Sequence, residues 1–287
     1  MKILTDFDGT LTNIQNEYEA LIEIIDKRIE NKHFPVDAYK RLYHQALEEI
    51  HKDFTAYGWP DHDRITAYSD EDLFMNIIAG MKLVDQWLKN KPEYANLLEI
   101  LESQNTSLME ISEYGYFILN TKPIGPHNTA VPDAVKTIQT LLDHGHEVVV
   151  VSNSPSDRII QKLSYAGLNA SIPELAPSAA LKVRGNAAKY RLGETPVIQS
   201  YVRQIDINRP VYKKLLAEEK PDIVIGDVFS LDLALPCYLT QTHPDFSKTK
   251  VLLMQQPYTP EWAIDAIQQQ PSGVLCKQFS DLLSLVD

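Results

Sequence analysis

Apolar residues change their spacing along the chain, and the changes mark its elements. Residues 2–5, Lys-Ile-Leu-Thr, form a short β-prone run that stops at Asp6-Phe7-Asp8-Gly9, which predicts a strand running into a loop. From Ile14 to Ile111 the apolar residues recur every three to four positions, through EYEALIEIIDKRI, AYKRLYHQALEEI, EDLFMNIIAGMKLVDQWL and YANLLEILESQ. That spacing predicts a block of about four helices. Breaks carrying Pro, Gly or Asn fall around 31–36, 58–63 and 89–93, and Ser69-Asp70-Glu71-Asp72 supplies cap-type residues for the third helix. After Pro132 helices and strands alternate: helices at 133–142, 156–166, 210–219, 260–269 and 279–286, strands at 147–151, 222–226, 250–254 and 273–276. The segment 168–206 is less regular, with short strands expected at 181–184 and 189–192. The valine run at 148–151 is hard to expose on either face, which argues for a parallel strand buried between helices. The pattern as a whole predicts an α/β chain with a doubly wound parallel sheet of five or six strands, the first separated from the rest by an all-helical insertion.

The expected division is 1–13 with 121–287 as the α/β core and 14–120 as a helical cap. Thr12-Asn13 is the outgoing hinge, and 121–132, TKPIGPHNTAVP, is the return hinge. Two crossings would let the cap tilt over the core as a lid. Composition narrows the classes: 44% hydrophobic residues argue against disorder, and 27 Lys+Arg against 39 Asp+Glu give a net charge of -12. Such a surface repels phosphate backbones, so nucleic acid is not an expected partner. No apolar run approaches the roughly 20 residues of a membrane helix, and no membrane partner is expected. Cys237 and Cys276 are too few for a disulfide-stapled scaffold or a four-thiolate zinc site, and they fit a reducing compartment. Charge appears by the sixth residue, unlike a signal peptide, so a cytoplasmic location is expected. The eight histidines show no metal-ligand spacing, and no P-loop or GxGxxG occurs.

In open α/β sheets ligands bind beyond the carboxyl ends of the strands. Here those ends carry Asp6-Phe7-Asp8-Gly9-Thr10, Ser152-Asn153-Ser154 and Gly226-Asp227 through Asp232. Any one of these acids alone would read as a turn or capping residue; the whole set at adjacent strand ends reads as a site. Four close carboxylates stay ionised only with a cation among them, and hard oxygen donors suit Mg2+. In such a cluster one carboxylate can attack an electrophilic phosphorus, and a second acid can protonate the leaving oxygen and then activate water. Ser152 and the amides opening the helix at 156 can hold the other phosphoryl oxygens. A basic side chain is still needed to balance charge in the transition state.

These motifs resemble the haloacid dehalogenase-like (HAD) hydrolase superfamily. Residues 6–12, DFDGTLT, match its first motif; Ser152 in EVVVVSNS matches the second; IVIGDVFSLD at 223–232 matches the acidic fourth. The resemblance spans about 1–12 and 125–287 and implies a Rossmann-like core with a helical cap inserted after the first motif. It implies Asp6 as the nucleophile and Asp8 as general acid/base. Mg2+ would be held by Asp6, the main-chain carbonyl of Asp8 and Asp227, with Asp232 beside them. Gly9, Thr10, Ser152 and Asn153 are the expected phosphate-binding residues. Asp8, Asp227 and Asp232 argue against carbon–halogen cleavage. They favour a phosphomonoesterase for a small phosphorylated metabolite, with a phosphonatase, a phosphosugar mutase or a catalytically weak binding protein as alternatives. The chain departs from the family in the third motif, where a lysine normally opens the helix before the fourth-motif strand. Arg209 stands there, ahead of Pro210; Lys189 and then Lys213 are the other candidates for that cation.

Overall fold

The computed structural model describes residues 1–125 and 128–286. The chain opens with β1 (Lys2–Thr5), α1 (Ile14–Asn31) and α2 (Val36–Lys52), then β2 (Gly58–Asp61) and β3 (Arg64–Tyr68), followed by α3 (Leu73–Asn90), α4 (Ala95–Ser103) and α5 (Leu108–Thr121). It continues through α6 (Pro132–Asp143), β4 (Glu147–Val151), α7 (Ser156–Tyr165), β5 (Leu181–Arg184), β6 (Ile198–Ser200) and β7 (Gln204–Asp206). The last part holds α8 (Pro210–Glu219), β8 (Ile223–Gly226), α9 (Ala234–Thr242), β9 (Lys250–Met254), α10 (Glu261–Gln268) and β10 (Gly273–Cys276). Pro126 and His127, within the expected return hinge 121–132, and Asp287 lie outside the described residues.

Two compact units result, one of Met1–Ile14, Pro60–Ala67 and Ile124–Asp287, the other of Gln15–Trp59 and Tyr68–Pro123. The first unit contains a six-stranded sheet in the order β10-β9-β8-β1-β4-β5, parallel throughout. β1 lies inside it, with Ile3 opposite both Val148 and Ile223. Ile3, Val148, Val149, Val150 and Ile223 are fully buried, as expected for parallel strands covered on both faces. Because every strand runs the same way, all six carboxyl ends reach one edge of the sheet. The second unit packs its helices around Leu21, Ile25, Leu42, Ile77, Val84 and Ile111. There the buried Asp85 of α3 accepts from the amides of Leu108 and Met109, each at 3.0 Å, satisfying two orphan donors at the start of α5. Among the described residues no helix is long and apolar enough to cross a membrane.

Three expectations are corrected. The insertion 14–120 is not all-helical: the break around 58–63 is the first half of a β-hairpin, turned through His62 at φ +57°. Its residues Pro60–Ala67 belong to the α/β unit. Residues 189–192 form no strand and run as a turn and loop, and 279–285 is a 3₁₀ helix.

One ionic contact sets part of the stability of the α/β unit. Glu219, at the end of α8, accepts from Lys2 Nζ (3.0 Å) on β1 and Arg184 Nε (2.7 Å) on β5. Burial opposes its charge, but the hydrogen bonds from Lys2 and Arg184 outweigh it and hold the carboxyl below the ordinary glutamate range. A depressed carboxyl contributes stability that is present above the unfolded value and is lost as pH falls through the folded one. Glu219→Gln is therefore expected to cost roughly 1–3 kcal/mol near pH 7. Urea melts should show the difference from wild type shrinking on acidification; a pH-independent difference would contradict this account.

Candidate active site

The site grows from the carboxyl end of β1. Asp6 N–H donates to the Ile225 carbonyl at 2.9 Å, so the ladder with β8 continues one residue past the strand. The chain then turns at Gly9, whose φ of +81° favours glycine, and a Cβ there would lie 2.2 Å from Asp227 Oδ2. Glycine is required at this position on both counts. Thr10 Oγ1 donates to Asp227 Oδ1 (3.0 Å), and Tyr258, in the loop after β9, donates to Asp227 Oδ2 (2.7 Å). Gln256 of the same loop donates to the Gly9 carbonyl at 2.5 Å. Beyond β8 a single π-helical turn, Phe229–Leu233, carries Asp232 back over Gly226. Asp232 Oδ2 accepts from the Val228 amide at 3.1 Å, and Tyr212 of α8 donates to the Asp232 carbonyl at 2.9 Å.

Lys189 joins these acids. Its Nζ lies 2.6 Å from Asp6 Oδ1 and 2.5 Å from Asp232 Oδ1, and the residue is 2% exposed. It arrives from the loop after β5, which is fastened to the loop after β4. Gly185 N–H donates to Ser156 Oγ (2.9 Å), Asn186 N–H to the Ser154 carbonyl (2.9 Å), and Ala187 N–H to the Ser152 carbonyl (3.0 Å). Asn153 Oδ1 accepts from the Lys189 amide itself at 2.8 Å. Asn153, expected at the phosphate site, thus holds the lysine loop. Asn186 and Ala188 take up the tight path at φ +52° and +48°.

Asp8 stands apart from this group. Its Oδ2 accepts from Ser154 Oγ (2.7 Å) and Ser152 Oγ (3.3 Å), and its Oδ1 faces Lys162 Nζ at 3.8 Å. Its side chain is 31% exposed. The structure therefore brings together Asp6, Asp227, Asp232 and Lys189, with Thr10 and Gly9 against Asp227, and holds the Asp8 carboxylate beside Ser152.

Arg209 does not take the place expected of it. It is 1% exposed, and its guanidinium donates to two main-chain carbonyls, those of Lys189 and Thr66, each at 2.6 Å. Lys213 is exposed on α8. The lysine between the acids is Lys189, which sequence position ranked second. Tyr258, Gln256, Tyr212 and Lys162 were not singled out in the sequence. Tyr258 and Gln256 follow a strand end and so fall under the same rule that marked the acids. Lys162, between Ile159 and Leu163 on the apolar face of α7, was a visible anomaly in the helical pattern.

One oxygen from each of Asp6, Asp227 and Asp232 can be chosen so that all lie within 4.8 Å of one another. Three hard donors at that spacing fit a divalent cation such as Mg2+. The balance of charge agrees, since the three carboxylates are faced by one lysine, Lys189. Without a cation, burial pushes the Asp6 carboxyl up to about 8; Lys189 opposes the shift, and the charges of Asp232 and Asp8 add to it. Burial works against the Lys189 ammonium, yet Asp232 and Asp6 more than compensate and hold it firmly protonated.

A family model described as haloacid dehalogenase-like hydrolase matches residues 3–218. No curated protein matches the chain. Among solved structures, the magnesium-bound candidate HAD-hydrolase YfnB from Bacillus subtilis aligns over 100% of this chain and 98% of its own, with 12% identity and a TM-score of 0.51. That likeness bears on the fold. A HAD phosphatase from Thermococcus onnurineus aligns over 100% and 98%, with 14% identity and a TM-score of 0.46. A 2-haloacid dehalogenase from Pseudomonas syringae pv. Tomato DC3000 aligns over 99% and 97%, with 10% identity and a TM-score of 0.42.

Proposed function

The chain belongs to the haloacid dehalogenase-like hydrolases, and from that premise we propose that it is an Mg2+-dependent phosphomonoesterase acting on a small phosphorylated metabolite. The observation that carries the reading is Lys189 Nζ seated between Asp6 and Asp232, with Asp227 completing a three-acid group and Asp8 held outside it. Dehalogenation needs no cation-binding acid group of this kind, whereas attack on a phosphate dianion needs positive charge at the nucleophile.

Asp6 attacks phosphorus; the bond from Asp6 to phosphorus forms as the bond from phosphorus to the leaving oxygen breaks. Asp8 gives its proton to that oxygen, which departs as the alcohol. Water then attacks the aspartyl-phosphate, Asp8 takes a proton from it, and inorganic phosphate leaves with Asp6 restored. Asp8 suits the proton-transfer role because its carboxylate is partly open and is oriented by Ser154 and Ser152. Lys189 keeps Asp6 in place and offsets charge on the phosphoryl oxygens. Mg2+, held by Asp6, the main-chain carbonyl of Asp8 and Asp227 with Asp232 beside them, would relieve the repulsion among these carboxylates and keep Asp6 ionised at neutral pH.

The test is phosphate release from p-nitrophenyl phosphate and from a panel of phosphorylated metabolites. Release is expected to disappear in EDTA and to return on adding Mg2+. Release that persists in EDTA would sink this function.

A further inference from the structure

Arg209, expected as the site's cation, instead joins two backbone segments. Its guanidinium bridges the Lys189 carbonyl and the carbonyl of Thr66 on the hairpin, with both donations at 2.6 Å and the side chain 1% exposed. A planar fork can serve two carbonyls in fixed directions in a way that a lysine ammonium cannot.

Two more hairpin side chains reach the same loop. Asp61, 5% exposed, accepts from the Leu192 amide (2.8 Å) and from Arg191 Nη1 (3.1 Å). Those contacts hold its carboxyl below the usual range even though burial opposes the charge. Arg64 pairs with the Asp206 carboxylate and also donates to the Gly193 carbonyl. Asp206 in turn accepts from the amides of Val197 (3.1 Å) and Asn208 (3.0 Å), tying in the approach to Arg209. Residues 189–193 are thus gripped by Asn153 on one side and by the hairpin with Arg209 on the other.

The grip answers a specific need. The loop has no ladder of its own, passes through left-handed conformations at Asn186 and Ala188, and must deliver a long, flexible side chain between two carboxylates. Ordering such a lysine is entropically costly, and its charge acts on the reacting group only from the right position.

We propose that Arg209 and the hairpin segment Pro60–Ala67 form a positioning device for Lys189, built from residues of the inserted region together with the core. The inference rests on the reading of Lys189 as the charge-balancing group. Arg209 and Asp61 are positioning residues and act through the lysine.

A double-mutant cycle tests it, with kcat and KM for p-nitrophenyl phosphate measured at saturating Mg2+. Arg209→Lys and, as a near-isosteric change in the hairpin, Asp61→Asn are each expected to lower kcat by about 10- to 100-fold while KM moves less than about twofold. Repeated in the Lys189→Met background, either substitution is expected to change kcat by less than about twofold, because the group it positions is gone. Hydrogen–deuterium exchange at 189–193 is expected to accelerate in Asp61→Asn, a readout that does not depend on turnover. Equal losses of kcat in both backgrounds, or unchanged exchange at 189–193, would overturn the proposal. Full activity of Lys189→Met alone is a different failure: it would refute the role of Lys189, and it is seen before any cycle is built.

Discussion

Asp6→Asn is expected to abolish phosphate release, by at least ~10⁴-fold, while leaving the metal-free protein at least as stable as wild type near pH 8. The loss of activity follows from chemistry, because an amide cannot form the acyl phosphate, and removal of a nucleophile costs nearly all of the catalytic advantage. The stability result follows from the surroundings. In the absence of a cation the Asp6 carboxyl is pushed up to about 8, chiefly by burial. Between the ordinary aspartate value and about 8 the folded state binds a proton that the unfolded chain does not. Metal-free stability therefore falls as pH rises through that window. Asparagine removes this slope. Urea melts in EDTA at pH 5.5 and pH 8 should show wild type losing stability toward pH 8 and Asp6→Asn losing much less. Equal slopes would refute the electrostatic account, and residual turnover near wild type would refute Asp6 as nucleophile.

Lys189→Met is the second large effect, and it works on activity and stability together. Methionine keeps the length of the side chain and removes the charge. Loss of a preorganised positive group at a phosphoryl site is expected to lower kcat by about 10²–10³-fold. The folded state suffers as well, because Asp6 and Asp232 then face one another almost out of water, with side-chain exposures of 10% and 4%. Removing one partner of a buried ionic group typically costs about 3–5 kcal/mol. Added Mg2+ should recover part of that loss by binding the folded state, so the melting shift is expected to be largest in EDTA. A variant equally stable with and without Mg2+ would contradict the arrangement of acids proposed for the cation.

Much of the site was legible in the sequence because one rule covered it. Parallel strands carry their functional residues at their carboxyl ends, and Asp6, Asp227 and Asp232 follow two recognisable buried runs. The separate role expected for the Asp8 carboxylate comes from the resemblance alone, since spacing of two residues in a loop does not fix direction; in the structure Ser152 and Ser154 donate to that carboxylate. The choice between Arg209 and Lys189 stays open in the sequence for a related reason. Position along the chain favoured the arginine before Pro210, whereas the path that brings Lys189 in depends on left-handed turns at Asn186 and Ala188 and on Asn153, none of which leaves a periodic signal. The hairpin is hard to see in the sequence because Gly58 and Pro60 suggest loop, and the β-prone run from Ile65 to Tyr68 is short.

That hairpin also limits how freely the inserted region can be exchanged during evolution or in the laboratory. An insertion that only shaped a substrate pocket could be replaced wholesale by another of similar length, leaving the reacting groups untouched. Here a graft that omits Asp61, Arg64 and the Thr66 carbonyl removes supports of the loop that carries Lys189. A chimera with another insertion is then expected to keep its turnover only if it carries residues 60–67 with the core.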